Sequence, residues 1–166
     1  ENSMILLLDF ERIMVEINPE SGIQIEEVRK LGERERSEKR IVVAEDSPLL
    51  RKLLFETLNE AGYVNVDFYE NGRDALDYLE SLVAEGKDVT KEVQLIVTDI
   101  EMPQMDGHHL TKQVKSNARL SAIPVIIFSS LITDDLRHKG DEVGAEDQIS
   151  KPEIAELILR IDQLIL

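Results

Sequence analysis

Residues 95–107 read LIVTDIEMPQMDG. The first four form a short run with no polar alternation, the pattern of a strand covered on both faces. The run stops at Asp99, and Pro103 and Gly107 punctuate the loop that follows. A carboxylate therefore stands at the carboxyl end of a buried strand. The fragments IVVAEDS (41–47), VIIFSS (125–130) and QISKP (148–152) repeat this grammar, an apolar run ending in polar side chains. In an open parallel sheet, side chains at the carboxyl ends of neighbouring strands converge on one crevice. The residues so placed are Glu45, Asp46, Asp99, Ser129 and Lys151.

Outward from these fragments, strand and helix patterns alternate from Arg40 onward. Ile41–Ala44 is a short strand. Ser47-Pro48 is a helix start, with serine as N-cap and proline at the first helical position. Leu49, Leu50, Leu53, Leu54 and Leu58 supply its apolar stripe, and Gly62 its C-terminal cap. Val64–Tyr69 is the second strand. Asn71 opens a helix that carries Ala75, Leu76, Leu79, Leu82 and Val83 and stops at Gly86. After Leu95–Thr98, the pattern predicts a helix over 107–117, a strand over 123–128, a helix over 131–143, a strand at Gln148-Ile149 and a last helix over 152–166. Five βα units predict an α/β, doubly wound, five-stranded parallel sheet with helices on both faces. In the last helix Leu159 and Leu166 lie off the stripe of Ile154, Leu157, Ile158, Ile161, Leu164 and Ile165.

The first 39 residues read differently. Met4–Phe10 fits a strand and Phe10–Ile17 a short helix or second strand, before the breaker Asn18-Pro19-Glu20-Ser21-Gly22. Ile23–Lys39 is dominated by charge, with a thin stripe of Ile25, Val28 and Leu31, and predicts a solvated linker helix. The fold is thus expected to carry an N-terminal strand and linker-helix appendage.

Composition narrows the function classes. The 166 residues suffice for one domain with a core plus an appendage. No apolar run is long enough to span a bilayer, and Glu1-Asn2-Ser3-Met4 has none of the features of a signal peptide. The missing initiator methionine fits a piece of a longer chain. Cysteine is absent, which excludes disulfides and thiolate metal sites and fits a cytoplasmic location. Net charge is −15; residues 1–39 hold 6 basic and 10 acidic side chains, residues 40–166 hold 13 and 24. Neither part is a basic patch, which argues against direct nucleic-acid binding and suits a domain that holds a divalent cation.

The strand-end residues suggest phosphoryl chemistry. A carboxylate such as Asp99 can attack phosphorus and form an acyl phosphate. Glu45 and Asp46, adjacent to each other and facing a third acid, repel unless a cation neutralises them. Mg²⁺ suits the task, since it takes one or two carboxylates plus phosphate oxygens. Ser47 already fills the capping role, so the two acids are surplus to capping. A hydroxyl from Ser129 and an ammonium from Lys151 suit phosphoryl oxygens, although Ser130 stands beside Ser129 and the sequence does not choose between them. His108 and His109 point to different faces and make a poor metal pair. Asp99, Glu101 and Asp106-Gly107 lack the spacing of an EF-hand loop.

Over residues 40–166 the order and spacing of Glu45-Asp46, Asp99 within TDIEMPQMDG, Ser129 and Lys151-Pro152 resemble the receiver domain of two-component response regulators. The resemblance implies a flavodoxin-like fold in which Asp99 accepts a phosphoryl group from a phosphohistidine on a sensor histidine kinase. It implies Mg²⁺ held by Glu45, Asp46, Asp99 and the backbone carbonyl of Glu101, with Ser129 and Lys151 on the phosphoryl oxygens. Such a domain is a signalling module that catalyses its own phosphorylation and slow autodephosphorylation, largely by positioning and charge neutralisation. Three departures stand out. Gln148 occupies the position of the family's switch aromatic, Ser129 replaces a commoner threonine, and Glu101 puts an acid beside the acceptor.

The stretch MILLLDFERIMVEINPE (4–20) resembles the tail of a CheW-like coupling domain, and a CheW-like domain joined to a receiver is the CheV-type chemotaxis arrangement. The resulting division is 1–20 as the end of a coupling domain, 21–39 as a charged linker and 40–166 as the receiver. The resemblance implies a chemotaxis kinase, and chemoreceptors through the coupling domain, as partners. Alternatives are a receiver whose output domain lies elsewhere and a pseudo-receiver that only binds partners. An Asp-nucleophile phosphatase of the haloacid-dehalogenase type lacks its Asp-x-Asp pattern, because the first strand ends in Glu45-Asp46-Ser47.

Overall fold

Every buried apolar run pairs as a strand, and the connections between runs are helical. The structure is a computed structural model that describes residues 19–130 and 132–166. In chain order the elements are α1 (Pro19–Arg29), β1 (Ser37–Ala44), α2 (Pro48–Glu60), β2 (Tyr63–Tyr69), α3 (Gly72–Ala84), α4 (Val89–Glu92), β3 (Leu95–Thr98), α5 (Gly107–Ser116), β4 (Val125–Ser129), α6 (Asp134–Val143), β5 (Asp147–Ser150) and α7 (Ile154–Ile165). The strands form one parallel sheet in the order β2-β1-β3-β4-β5. This is the α/β architecture expected from the sequence.

Alternation along each strand divides the core into two layers. Ile41, Val43, Val97, Ile126, Phe128 and Ile149 pack against Leu54 and Leu58 of α2 and Leu157, Ile158 and Ile161 of α7. Val42, Ala44, Ile96 and Val125 point the other way, onto Ala75 and Leu79 of α3 and Leu110 and Val114 of α5. Because order reverses on either side of β1, the β1–β3 edge is the switch point at which a crevice opens.

Several local expectations are corrected. Pro19 begins α1 instead of breaking the chain, because the first helical position loses no hydrogen bond to proline. The helix ends at Arg29, not Lys39, and Val28 is 1% exposed within the core, so α1 is docked, not solvated. β1 begins at Ser37, four residues before Ile41; its polar start pairs with edge strand β2. Leu49 is exposed, and Thr57 completes the buried face of α2 in its place. The helix expected from Leu131 starts at Asp134, where Thr133 accepts the Leu136 N–H as N-cap. The short α4 escaped the sequence pattern. Leu159 and Leu166 are exposed, as their place off the stripe indicates. The readings placed on residues 1–18, a strand and a helix or second strand, lie outside the described residues.

Candidate functional site

The site is built at the carboxyl ends of β1, β3 and β5. Ala44, Thr98 and Ile149 are the last fully covered strand residues, and the next side chains emerge at the sheet edge. Backbone bonds tie these ends together: Asp99 N–H donates to the Ala44 carbonyl at 3.0 Å, and Glu45 N–H donates to the Tyr69 carbonyl at 2.9 Å. The loop after β1 is held by Ser47, whose N–H donates to Glu45 Oε2 at 3.1 Å and whose hydroxyl caps α2.

Glu45, Asp46 and Asp99 each offer a carboxylate oxygen, and these oxygens lie within 4.8 Å of one another. Octahedral Mg²⁺ at about 2.1 Å from each ligand needs oxygens about 3 to 4.2 Å apart, so small side-chain movements suffice for a fit. Glu45 is buried, Asp99 half-buried and Asp46 exposed. Lys151 reaches across from β5, with Nζ 2.5 Å from Glu45 Oε1 and 3.3 Å from Asp99 Oδ2. Its ammonium also stands 5.9 Å from the centre of the Phe128 ring. Burial pushes the Glu45 carboxyl above its ordinary pKa; Asp99 adds to the rise, and the Lys151 hydrogen bond opposes it. A site with this balance attracts a second cation. Asp99 presents two distinct oxygens, since Oδ1 accepts the Ile100 N–H at 2.7 Å and Oδ2 faces Lys151.

Ser129 is the last residue of β4, buried at the same edge, with Ser150 of β5 as its register partner; Ser130 is exposed. Glu101, two residues past Asp99, is exposed. Gln148 is buried and turned toward α6, where Nε2 donates to the Arg137 carbonyl at 2.7 Å and to Asp141 Oδ1 at 2.9 Å. His108 is buried and His109 exposed, which confirms that they point to different faces.

Two supports of the site escaped the sequence reading. Arg51 on α2 donates to the Glu45 carbonyl at 2.9 Å, holding the β1–α2 loop from outside. Gly107 lies against the Asp99 carbonyl so closely that a Cβ there would overlap it, and its N–H donates to the Ile100 carbonyl at 2.8 Å. The glycine was legible as a helix start, but its contact with the Asp99 backbone was not.

Residues 41–162 match the family profile described as the response regulator receiver domain. Among curated proteins, the chain is 32% identical over 143 residues to the chemotaxis protein CheV3 of Helicobacter pylori, covering 85% of this chain and 44% of that protein. It is 28% identical over 155 residues to CheV1 of the same organism, covering 91% and 46%. The chain thus spans about half the length of these curated relatives. Among solved structures, it is similar to the signal receiver domain of a signal transduction histidine kinase from Syntrophus aciditrophicus, at 31% identity and TM-score 0.65, over 76% of this chain and 89% of that one. It is equally similar in fold to the chemotaxis protein CheY4 of Vibrio cholerae, at 25% identity and TM-score 0.65, over 78% and 100%.

Proposed function

The chain belongs to the response regulator receiver domain family of two-component signalling, and on that premise we propose that Asp99 is its phosphoacceptor, taking a phosphoryl group from a phosphohistidine on a sensor kinase in a Mg²⁺-dependent reaction. The observation that carries this reading is the convergence of Glu45, Asp46, Asp99 and Lys151 at one sheet edge.

Each side chain then has a task. A carboxylate oxygen of Asp99 attacks phosphorus, the phosphorus–nitrogen bond of the donor breaks, and its electron pair returns to the imidazole, which takes a proton from solvent. Lys151, already fixed beside Asp99 Oδ2, follows the charge onto the phosphoryl oxygens. Ser129 donates its hydroxyl to the same group from β4. Glu45, Asp46, Asp99 and the Glu101 carbonyl would hold Mg²⁺, which would supply charge neutralisation at those oxygens. Slow hydrolysis of the acyl phosphate resets the site.

The CheV relatives, chemotaxis proteins by name, support a chemotaxis setting; in this reading the phosphodonor is a chemotaxis kinase, and chemoreceptors are reached through a coupling domain. The assignment of residues 1–20 to the end of a CheW-like domain rests on their sequence. Among the described residues no helix is long and apolar enough to cross a membrane; a cytoplasmic location follows from the proposed partners. The test is transfer from a chemotaxis histidine kinase carrying labelled phosphate. Label should pass to this chain only with Mg²⁺, and never to the Asp99→Asn variant; retention on the kinase would oppose the reading.

A further inference from the structure

The edge of the sheet remote from Asp99 carries a built contact of its own. All strands of a parallel sheet begin at one edge. The eight residues of β1 therefore separate Ser37 from the acid cluster by about 25 Å. Over that far edge lies α1. Val28 enters the core formed with Leu58, Ala61 and Tyr63, and Leu31 packs against the same cluster. At the rim Arg29 pairs with Glu60 at 2.8 Å.

After α1 the chain turns at Gly32 and returns beneath the domain, where Arg34 makes two fixed contacts. Its Nε donates to the Ala61 carbonyl at 2.8 Å, and its guanidinium reaches Asp162 Oδ1 on α7 at 2.5 Å. The Tyr63 hydroxyl donates to the same carboxylate oxygen at 2.5 Å. Burial and Asp162 both push the Tyr63 pKa up, so the phenol stays a donor. Arg34 and Asp162 are largely covered, at 15% and 21% side-chain exposure. Gly62 sits at φ +96°, and a Cβ there would collide with the Glu35 carbonyl oxygen, so this approach of the two backbones requires glycine. Ser37 N–H then donates to the Gly62 carbonyl at 2.8 Å, leading into β1.

A flexible tether has no need of a buried valine, a shared carboxylate or a glycine-dependent approach. We propose that residues 19–36 are a rigid anchor, with Arg34, Asp162 and Tyr63 as its latch. The stretch from Val28 to Ser37 is thereby held against the end of the sheet opposite Asp99. The surface of α2, β2 and α7 at this edge is an intramolecular docking site, and its occupant is the chain's own connector. α7, which carries Asp162, begins three residues after Lys151, so the latch sits on the helix that directly follows the lysine of the acid cluster. The proposal does not depend on phosphorylation and stands or falls separately.

The chain contains no cysteine, so Ile23→Cys with Glu80→Cys gives a unique pair for nitroxide labels at two exposed sites. A distance distribution measured on the full chain is expected to be a single narrow peak. Adding Arg34→Met or Asp162→Asn should abolish that peak in favour of a broad spread. A second pair within the receiver, Glu80→Cys with Leu159→Cys, should stay narrow in both variants and shows that the domain remains folded. A broad spread without the latch substitutions would overturn the anchor. A narrow peak that survives both substitutions would overturn the latch.

Discussion

Lys151 Nζ stands 2.5 Å from Glu45 Oε1, although the two residues are 106 positions apart in sequence. Both are largely covered, at 10% and 2% side-chain exposure. The ammonium thus serves as the fixed counter-charge for an acid group that would otherwise lack one. Removing it should cost more than a surface ion pair, because it would leave two close carboxyl groups, one of them buried, without a counter-charge. Lys151→Met is expected to destabilise the metal-free protein by about 3 kcal/mol in urea unfolding, a typical cost for breaking a covered pair. Mg²⁺ should restore much of that loss, since it can take over the neutralisation. A variant equally unstable with and without Mg²⁺ would contradict this account.

Gln148 presents a different case, a buried amide tied to a helix that has almost no apolar anchor. Among the described residues of α6 only Gly140 is fully buried. The helix is therefore held at this point by the two bonds from Gln148 Nε2 to Arg137 and Asp141. Gln148→Leu should cost about 2 kcal/mol by removing both amide bonds to α6, one of them to the Asp141 carboxylate. Gly140→Ala should also destabilise, despite the higher helix propensity of alanine, because a Cβ at 140 would overlap the Gln148 amide. The combination Gly140→Ala with Gln148→Ala should be less harmful than the sum, a coupling that a double-mutant cycle in denaturant reads directly. Simple additivity would rule the contact out as an anchor of α6.

His108 gives the fold a pH dependence. Burial, the largest cause, and then Lys139 on α6 lower its pKa below 6.5, while Asp106 and the Leu136 carbonyl oppose them. The folded protein therefore favours the neutral ring, and the unfolded chain binds the proton first as pH falls. The stability this supplies is present above pH 6.5 and is lost as pH drops below it, by up to about 1.4 kcal/mol per pH unit. Between pH 7.5 and 5.5, His108→Leu should lose less stability than the unaltered chain in thermal melts. Parallel losses would show that another group carries the effect.

The sheet and the acid cluster were legible because each rests on local grammar. LIVT followed by Asp99, and Ser47-Pro48 at a helix start, need only neighbouring residues to be read. The connector was misread for the opposite reason. Its stabilising partners lie far away in sequence, with Asp162 128 positions from Arg34, and a charged stretch looks solvated until those partners are known. Pro19 was taken as a breaker although the argument applied at Pro48 covers it equally. Gln148 was recognised as a departure from the family, but its bond to a carbonyl of α6 belongs to the packing of two elements, which no spacing reveals.

Glu101 is exposed two residues beyond Asp99; if Asp99 carries the proposed acyl phosphate, the Glu101 carboxylate is placed to order a water that attacks it. Glu101→Ala is expected to lengthen the phosphate lifetime by roughly three- to tenfold, at the low end of what removing one acid–base group costs. The decay of phosphorylated protein after removal of the donor measures it, and an unchanged rate would exclude Glu101 from hydrolysis.

The central claim is that Asp99 carries the phosphoryl group. Incubation of the chain with Mg²⁺ and a small acyl-phosphate donor, followed by intact-mass analysis and peptide mapping, tests it most directly. One phosphoryl adduct should appear, map to Asp99, require Mg²⁺ and vanish in Asp99→Asn. No adduct, or one that persists unchanged in Asp99→Asn, would contradict the account.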